Sequence, residues 1–285
     1  TVSRVLNDRP DVSPAVRAAV LEALRSSNYV PNNSARDLVR VNSDAVGLVV
    51  RGVSNPFYAD IIKAIEREID AAGYTMVMQQ IGIAEDEIAR GAMMEREKKL
   101  RGLIFLGGRS DCAPEDMGTI TVPFVCCSFT NSFGTLSKSE YSSVSIEDVE
   151  TASRAVRELH RLGHRRIAAL VSETDDRSIS ELRYHGYTTA LREFGLEPEP
   201  ELVACAGSFG MHDAYAATQR LLDSGAEFTA IFAISDMMAI AAIKALEDRG
   251  RRVPESCSVI AIDGLELSEY TRPTLTTLCQ PSERM

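Results

Sequence analysis

Five residues of this 285-residue chain have the types and positions to hold a small polar molecule: Tyr58, Ser128, Arg183, Ser235 and Asp263. Ser128 ends the apolar run Phe124–Cys127, Ser235 follows the run Thr229–Ile234, and Asp263 follows the run Val259–Ile262. Tyr58 opens a long helical stretch after a first apolar run, and Arg183 lies early in another. A carboxylate accepts from neighbouring hydroxyls, a guanidinium donates in a fork, and an aromatic ring covers the apolar face of a sugar, so the set suits a small polyol. The same groups have plainer uses: Asp263 to cap the turn after it, Arg183 to pair with Glu181, Tyr58 to pack. Asp236 reads as the cap of the helix it begins.

A second group, at the start of the chain, suits nucleic acid. Val2, Val5 and Leu6 share one face of a short helix, with Thr1, Ser3, Arg4 and Asn7 on the other. Arg can be bidentate to guanine, and Ser or Thr reaches base edges. A frayed, solvated helix accounts for the same pattern. The formal charge of −10, from 31 Lys+Arg against 41 Asp+Glu, argues against a protein that coats nucleic acid indiscriminately. Residues 1–40, however, carry six Arg against four acids, a net +2, which leaves −12 on the remainder. That sign fits a small phosphate-facing module on an acidic body.

Other chemistries find less support. His160 and His164 are four apart, but Gly163 interrupts the helix between them, so a metal pair is not expected. His185, near Arg183, is a further candidate for a polar contact. None of the six cysteines forms a C-x-x-C pair, and most sit in apolar runs, as reduced core thiols of a cytoplasmic protein would. There is no G-x-G-x-x-G after the first apolar run and no Walker phosphate loop, and nothing in the pattern asks for an enzyme or a cofactor. No span reaches the ~20 uncharged apolar residues of a membrane helix.

The elements that must position these residues follow from periodicity. From about residue 45, short β-branched apolar runs alternate with helical stretches, several of them stopped by glycine at 73, 163, 195 and 250. Near-continuous apolar strands separated by helices imply parallel sheets covered on both faces, a doubly wound α/β fold. The alternation restarts after the Ser- and Gly-containing stretch 131–143, which implies two similar lobes hinged near residues 144–148. Leu275-Thr276-Thr277-Leu278 reads as a second crossover back to the first lobe. Ahead of the lobes, Ser13 and Pro14 begin a helix with Val16, Val20, Leu21 and Leu24 as its apolar stripe.

Residue for residue, the chain resembles the lactose-repressor/galactose-repressor family of bacterial transcription regulators. The likeness rests on Thr1-Val2-Ser3-Arg4-Val5-Leu6-Asn7, Val12-Ser13-Pro14, Tyr29-Val30-Pro31-Asn32 and Ala35-Arg36-Asp37-Leu38. It continues through Ser54-Asn55-Pro56-Phe57-Tyr58, Leu162-Gly163-His164-Arg165-Arg166-Ile167, Arg183-Tyr184-His185-Gly186-Tyr187, Ser235-Asp236-Met237-Met238 and Val253-Pro254-Glu255. It spans the whole chain in order, and the set is far more specific than any one motif.

The resemblance implies two periplasmic-binding-protein-like lobes, with a partial helix-turn-helix and a hinge helix before them. The domains would be 1–31 (helix-turn-helix), 32–44 (hinge and linker), 45–147 (first lobe), 148–276 (second lobe) and 277–285 (crossover). Thr1, Ser3 and Arg4 would meet bases or phosphates, and Asn7 a phosphate. The hinge would bring Asn32, Ala35, Arg36 and Leu38 to DNA, with Leu38 as a minor-groove wedge. Arg183 and Asp263 stand at inducer-binding positions and Tyr58 at a stacking position; Ser128 replaces a frequent Asp and Ser235 the common Asn. The family's first helix has no counterpart here, so the chain reads as a fragment at both ends and is expected to bind operator weakly. The implied partners are operator DNA, a sugar or nucleoside effector and a second copy of the chain. The alternative is a periplasmic-type solute-binding protein, which shares the two-lobed cleft.

Overall fold

The computed structural model describes residues 2–6, 10–27, 44–52, 55–82 and 85–285, without the side chains of Ser3, Leu6 and Arg25. The chain divides into two compact units, Thr1–Ser43 and Asp44–Met285. In the first, α1 (Val2–Leu6) lies against α2 (Pro14–Ser26). Val5 is buried between them, whereas Val2, Val16 and Leu21 face solvent. The expected stripe of α2 is therefore only partly covered.

The second unit holds both lobes. The first is built from β1 (Ala45–Arg51), α3 (Phe57–Ala71), β2 (Thr75–Ile81), α4 (Glu87–Lys98), β3 (Gly102–Leu106), α5 (Pro114–Met117), β4 (Phe124–Cys127) and β5 (Ser142–Val144). Its sheet runs β2-β1-β3-β4-β5, with every pairing parallel. The second lobe follows with α6 (Asp148–Arg161), β6 (Ile167–Val171), α7 (Ile179–Glu193), β7 (Val203–Cys205), α8 (Met211–Asp223), β8 (Ala230–Ala233), α9 (Asp236–Asp248), β9 (Ser258–Asp263), α10 (Leu267–Tyr270) and β10 (Thr276–Cys279). Its sheet runs β10-β9-β8-β6-β7, again all parallel. The central strands β6 and β8 are buried along their whole length, as strands covered by helices on both faces must be.

Helix ends follow the glycine signals. At Gly163 the backbone turns to φ 99°, a conformation that costs glycine little, and α6 stops there. One expectation is corrected. Residues 276–279 are no crossover; they form β10, pairing Thr276 with Ile260 through Cys279 with Asp263 in the second sheet. The return to the first lobe comes later, where the turn Ser282–Arg284 meets α3 and Met285 packs with Leu48, Val50, Phe57 and Ile61.

All six cysteines are free thiols, four of them buried. Among the described residues no helix is long and apolar enough to cross a membrane.

Candidate functional site

The carboxyl ends of the strands of both lobes face a shared cleft with a cavity of about 390 Å³, which falls in the usual ~300–1,000 Å³ range of small-molecule sites. Arg183 reaches it from the first turns of α7, whose amino end is capped by the Ser178 hydroxyl accepting from the Ser180 N–H. The guanidinium is 3% exposed. Its Nε donates to Asp148 Oδ1 at 2.8 Å, one Nη donates to the Ile234 carbonyl, and the same nitrogen stands 3.8 Å from Asp263 Oδ1. Glu181, the alternative partner, instead accepts the Arg177 N–H at 2.7 Å. Asp148 was not expected at the site; burial raises its carboxyl pKa, against the pull of Arg183.

Asp263 closes β9 with a φ of 149°, a region L-residues rarely adopt and one that is tolerated where surrounding contacts enforce it. Those contacts are Gln280 Nε2 donating to Oδ1 at 2.8 Å, Asn55 Nδ2 donating to Oδ2 at 3.3 Å, and the Asp236 N–H approaching Oδ2 at 3.4 Å. The Asn55 bond crosses from the first lobe to the second. Burial pushes the Asp263 carboxyl up to about 6, opposed by Arg183. The capping alternative for Asp263 gives way to a buried carboxylate held between lobes.

Tyr58 lines the cleft next to Phe57, and burial beside Asp263 pushes its phenol up to about 12. Gly107 makes room for it: a Cβ there would stand 2.6 Å from the Tyr58 hydroxyl oxygen. Ser128 also lines the cleft, with φ 65° and its N–H donating to the Val144 carbonyl at 2.8 Å.

Ser235 is a correction. It does not line the cavity; its hydroxyl accepts the Met238 N–H and caps α9. The capping role foreseen for Asp236 thus belongs to Ser235. Asp236, fully buried, ties the second lobe together instead, accepting from the Leu265 N–H and the Thr277 hydroxyl.

Residues missed in the sequence complete the walls. Arg51 and Arg109 stand at or beyond the carboxyl ends of β1 and β3, and Phe129, Phe209 and Gln280 add two aromatic faces and an amide. The strand-end rule that found Ser128 applies equally to Arg51 and Arg109. Across the mouth, the Ser110 N–H donates to the Arg177 carbonyl at 3.3 Å, and the Arg177 guanidinium lies 5.4 Å over the Phe133 ring. The histidines are structural or exposed. His160 stacks on Phe194, His164 bonds Thr229 and Ser258, and His185 is half exposed beside Glu181 and does not line the cavity. Among the described residues no cluster of His, Cys, Asp or Glu has the makings of a metal site.

Of the residues assigned to DNA, Arg4 is exposed on α1 and pairs with Asp11 at 3.2 Å. Ser3 lies on α1, its side chain outside the described residues. Thr1, Asn7, Asn32, Ala35, Arg36 and Leu38 also lie outside the described residues.

Two parallel α/β lobes around a polar and aromatic cleft define a two-lobed small-molecule-binding protein, and a small helical unit precedes them in the sequence. Residues 1–32 match the model of bacterial regulatory proteins of the lacI family, and residues 156–285 match that of the periplasmic binding protein-like domain. The HTH-type transcriptional regulator MalR of Clostridium butyricum is 39% identical, over 100% of this chain and 85% of its own length. The regulator CelR of Thermobifida fusca is 33% identical, over 100% and 84%. Among solved structures, a CelR–cellobiose complex superposes with a TM-score of 0.75 at 30% identity, covering 100% of this chain and 85% of that one. The lac repressor dimer on operator, with a TM-score of 0.81 at 24% identity and coverages of 99% and 84%, shares the fold.

The chain belongs to the LacI family of bacterial transcriptional regulators. It is a DNA-binding regulator controlled by a small molecule held between its lobes, and the solute-binding alternative falls because the likeness to regulators runs through the head as well as the lobes.

Proposed function

We propose that this regulator is a cytoplasmic, homodimeric repressor of genes for carbohydrate use, released from its operator by a sugar of about disaccharide size. The buried Arg183–Asp263 pair facing an aromatic-flanked cleft carries the reading: donor, acceptor and flat apolar faces are what a polyol ring requires. The likeness to a regulator solved as a cellobiose complex supports a sugar. Residues 1–31 would read DNA and residues 32–44 would form the hinge. Two copies related by a two-fold axis would match a pseudo-palindromic site, as the lac repressor dimer does on its operator. Ligand and DNA would then oppose each other through a coupling of about 1–3 kcal/mol.

A thermal-shift screen of maltose, cellobiose, glucose, nucleosides and purines tests the reading without knowledge of the operator. A sugar is expected to raise the melting temperature, and Asp263→Ala to abolish that shift. A response confined to nucleosides or purines overturns the sugar assignment, and an unchanged response in Asp263→Ala removes that carboxylate from the site.

A further inference from the structure

The charge pattern of the cleft goes further and distinguishes neutral from anionic effectors, an inference that rests on the cleft being the effector site. Four guanidiniums line it, those of Arg51, Arg109, Arg177 and Arg183. Four carboxylates line it too, those of Asp111, Glu173, Asp176 and Asp263. Behind these stand further acids. Asp148 holds Arg183, Glu181 holds the Arg177 backbone, and Glu87 holds the first-lobe wall.

Glu87 is the telling one. Arg51 and Arg109 project from the ends of adjacent parallel strands, the arrangement in which two guanidiniums and a backbone N–H clamp an anion. The chain supplies the counter-charges itself: the Arg109 guanidinium stands 3.6 Å from Asp111 and 3.9 Å from Asp116, and Glu87 faces Arg51. Glu87, the first residue of α4, is fully buried; its Oε1 accepts the Arg109 N–H at 2.7 Å, and its Oε2 lies 3.7 Å from Arg51 Nε. Glu87 does not line the cavity, so it acts on a ligand only through these two residues. Among the described residues its Oε2 and the Ser110 hydroxyl are buried with no hydrogen-bond partner. Both guanidiniums of this wall are therefore already matched by carboxylates, so neutral hydroxyl groups suit it, whereas an incoming phosphate would have to compete with the carboxylates in place.

We propose that the effector is an uncharged sugar and that Glu87 is the positioning residue that makes the first-lobe wall reject anionic groups such as a sugar phosphate. Calorimetry at constant ionic strength tests this with maltose against maltose 6′-phosphate, cellobiose against cellobiose 6′-phosphate, and inorganic phosphate alone. The wild-type chain should bind the neutral member of the responding pair at least about tenfold more tightly, and should show no saturable phosphate binding. Glu87→Gln should narrow that ratio and gain phosphate binding. Glu87→Asp, which keeps the charge, should restore the discrimination, a rescue that a merely structural role does not predict. Preference of the wild type for the phosphorylated sugar, or saturable phosphate binding in its cleft, overturns the proposal. If neither pair binds, the disaccharide reading fails, while phosphate binding by Glu87→Gln but not by wild type still supports the exclusion of anions. Equal phosphate binding by both overturns it. If Glu87→Gln does not fold, the wild-type arm with phosphate decides.

Discussion

Asp263 concentrates the conflict between stability and binding at a single residue. Its carboxyl titrates near 6 in the folded chain rather than 3.8, because burial disfavours the charged form more than Arg183 favours it. The native state therefore holds the proton more tightly than the unfolded chain does. The stability this confers is fully present below about pH 4, is lost as pH rises to about 6, and stays lost above; the cost of keeping Asp263 ionised at neutral pH is on the order of 3 kcal/mol. Asp263→Asn, which mimics the protonated form, should raise the melting temperature of the ligand-free chain at pH 7.5. The gain should shrink as pH falls toward 4. A gain that is flat with pH, or a loss at pH 7.5 that persists, contradicts this account. Part of the site was legible in sequence because strand ends in parallel sheets are where ligands sit, which brought Tyr58, Ser128, Arg183 and Asp263 into view. Asn55 was not, because its partner Asp263 is 208 residues away and only the packing of the two lobes joins them. Ser235 misled for the reverse reason: a serine after an apolar strand is equally the residue type that caps a helix, and here the cap won.

Among the elements, the segment between β6 and α7 acts as a strap across the cleft. It carries Arg177 at φ 55°, held by the Glu181 carboxylate, and places its carbonyl on the Ser110 N–H and its guanidinium over Phe133. Ile179, just beyond, packs into the first-lobe core. A cation–π contact of this kind contributes about 1 kcal/mol. Phe133→Ala should therefore speed hydrogen exchange of the Ser110 amide about fivefold and leave amides of the central strands β6 and β8 unchanged. An unaltered Ser110 amide would show that Phe133 does not hold the strap. Nothing in the sequence marks this strap, since a serine amide, a carbonyl and a ring far apart in the chain have no periodic signature. The helices were legible because glycine stops and apolar stripes are local. The strand β10 was misread as a crossover because four residues of mixed polarity do not show which sheet they will join; pairing with β9 decides that.

The whole molecule is a charge-segregated pair of units, about +2 on residues 1–40 and −12 on the rest, so the acidic body disfavours stray contact with DNA while the head supplies the cations. Regulation then requires that the cleft and the head report on each other, and thermodynamics constrains how. If the effector weakens operator binding by some factor, operator must weaken effector binding by the same factor, because the two binding steps close a cycle. For a coupling of about 1–3 kcal/mol that factor is roughly 5–150. The strap and the Asn55–Asp263 bond give the cleft discrete cross-lobe contacts that a ligand can make or break, and such two-state contacts, rather than gradual deformation, allow a local event to be felt at a distance. Operator affinity measured with and without saturating sugar, and sugar affinity measured with and without saturating operator, should change by equal factors in the same direction. Sugar binding that leaves operator affinity untouched would mean that the two units of this chain are not coupled and would overturn induction. A tightening of both by equal factors would make the sugar a corepressor.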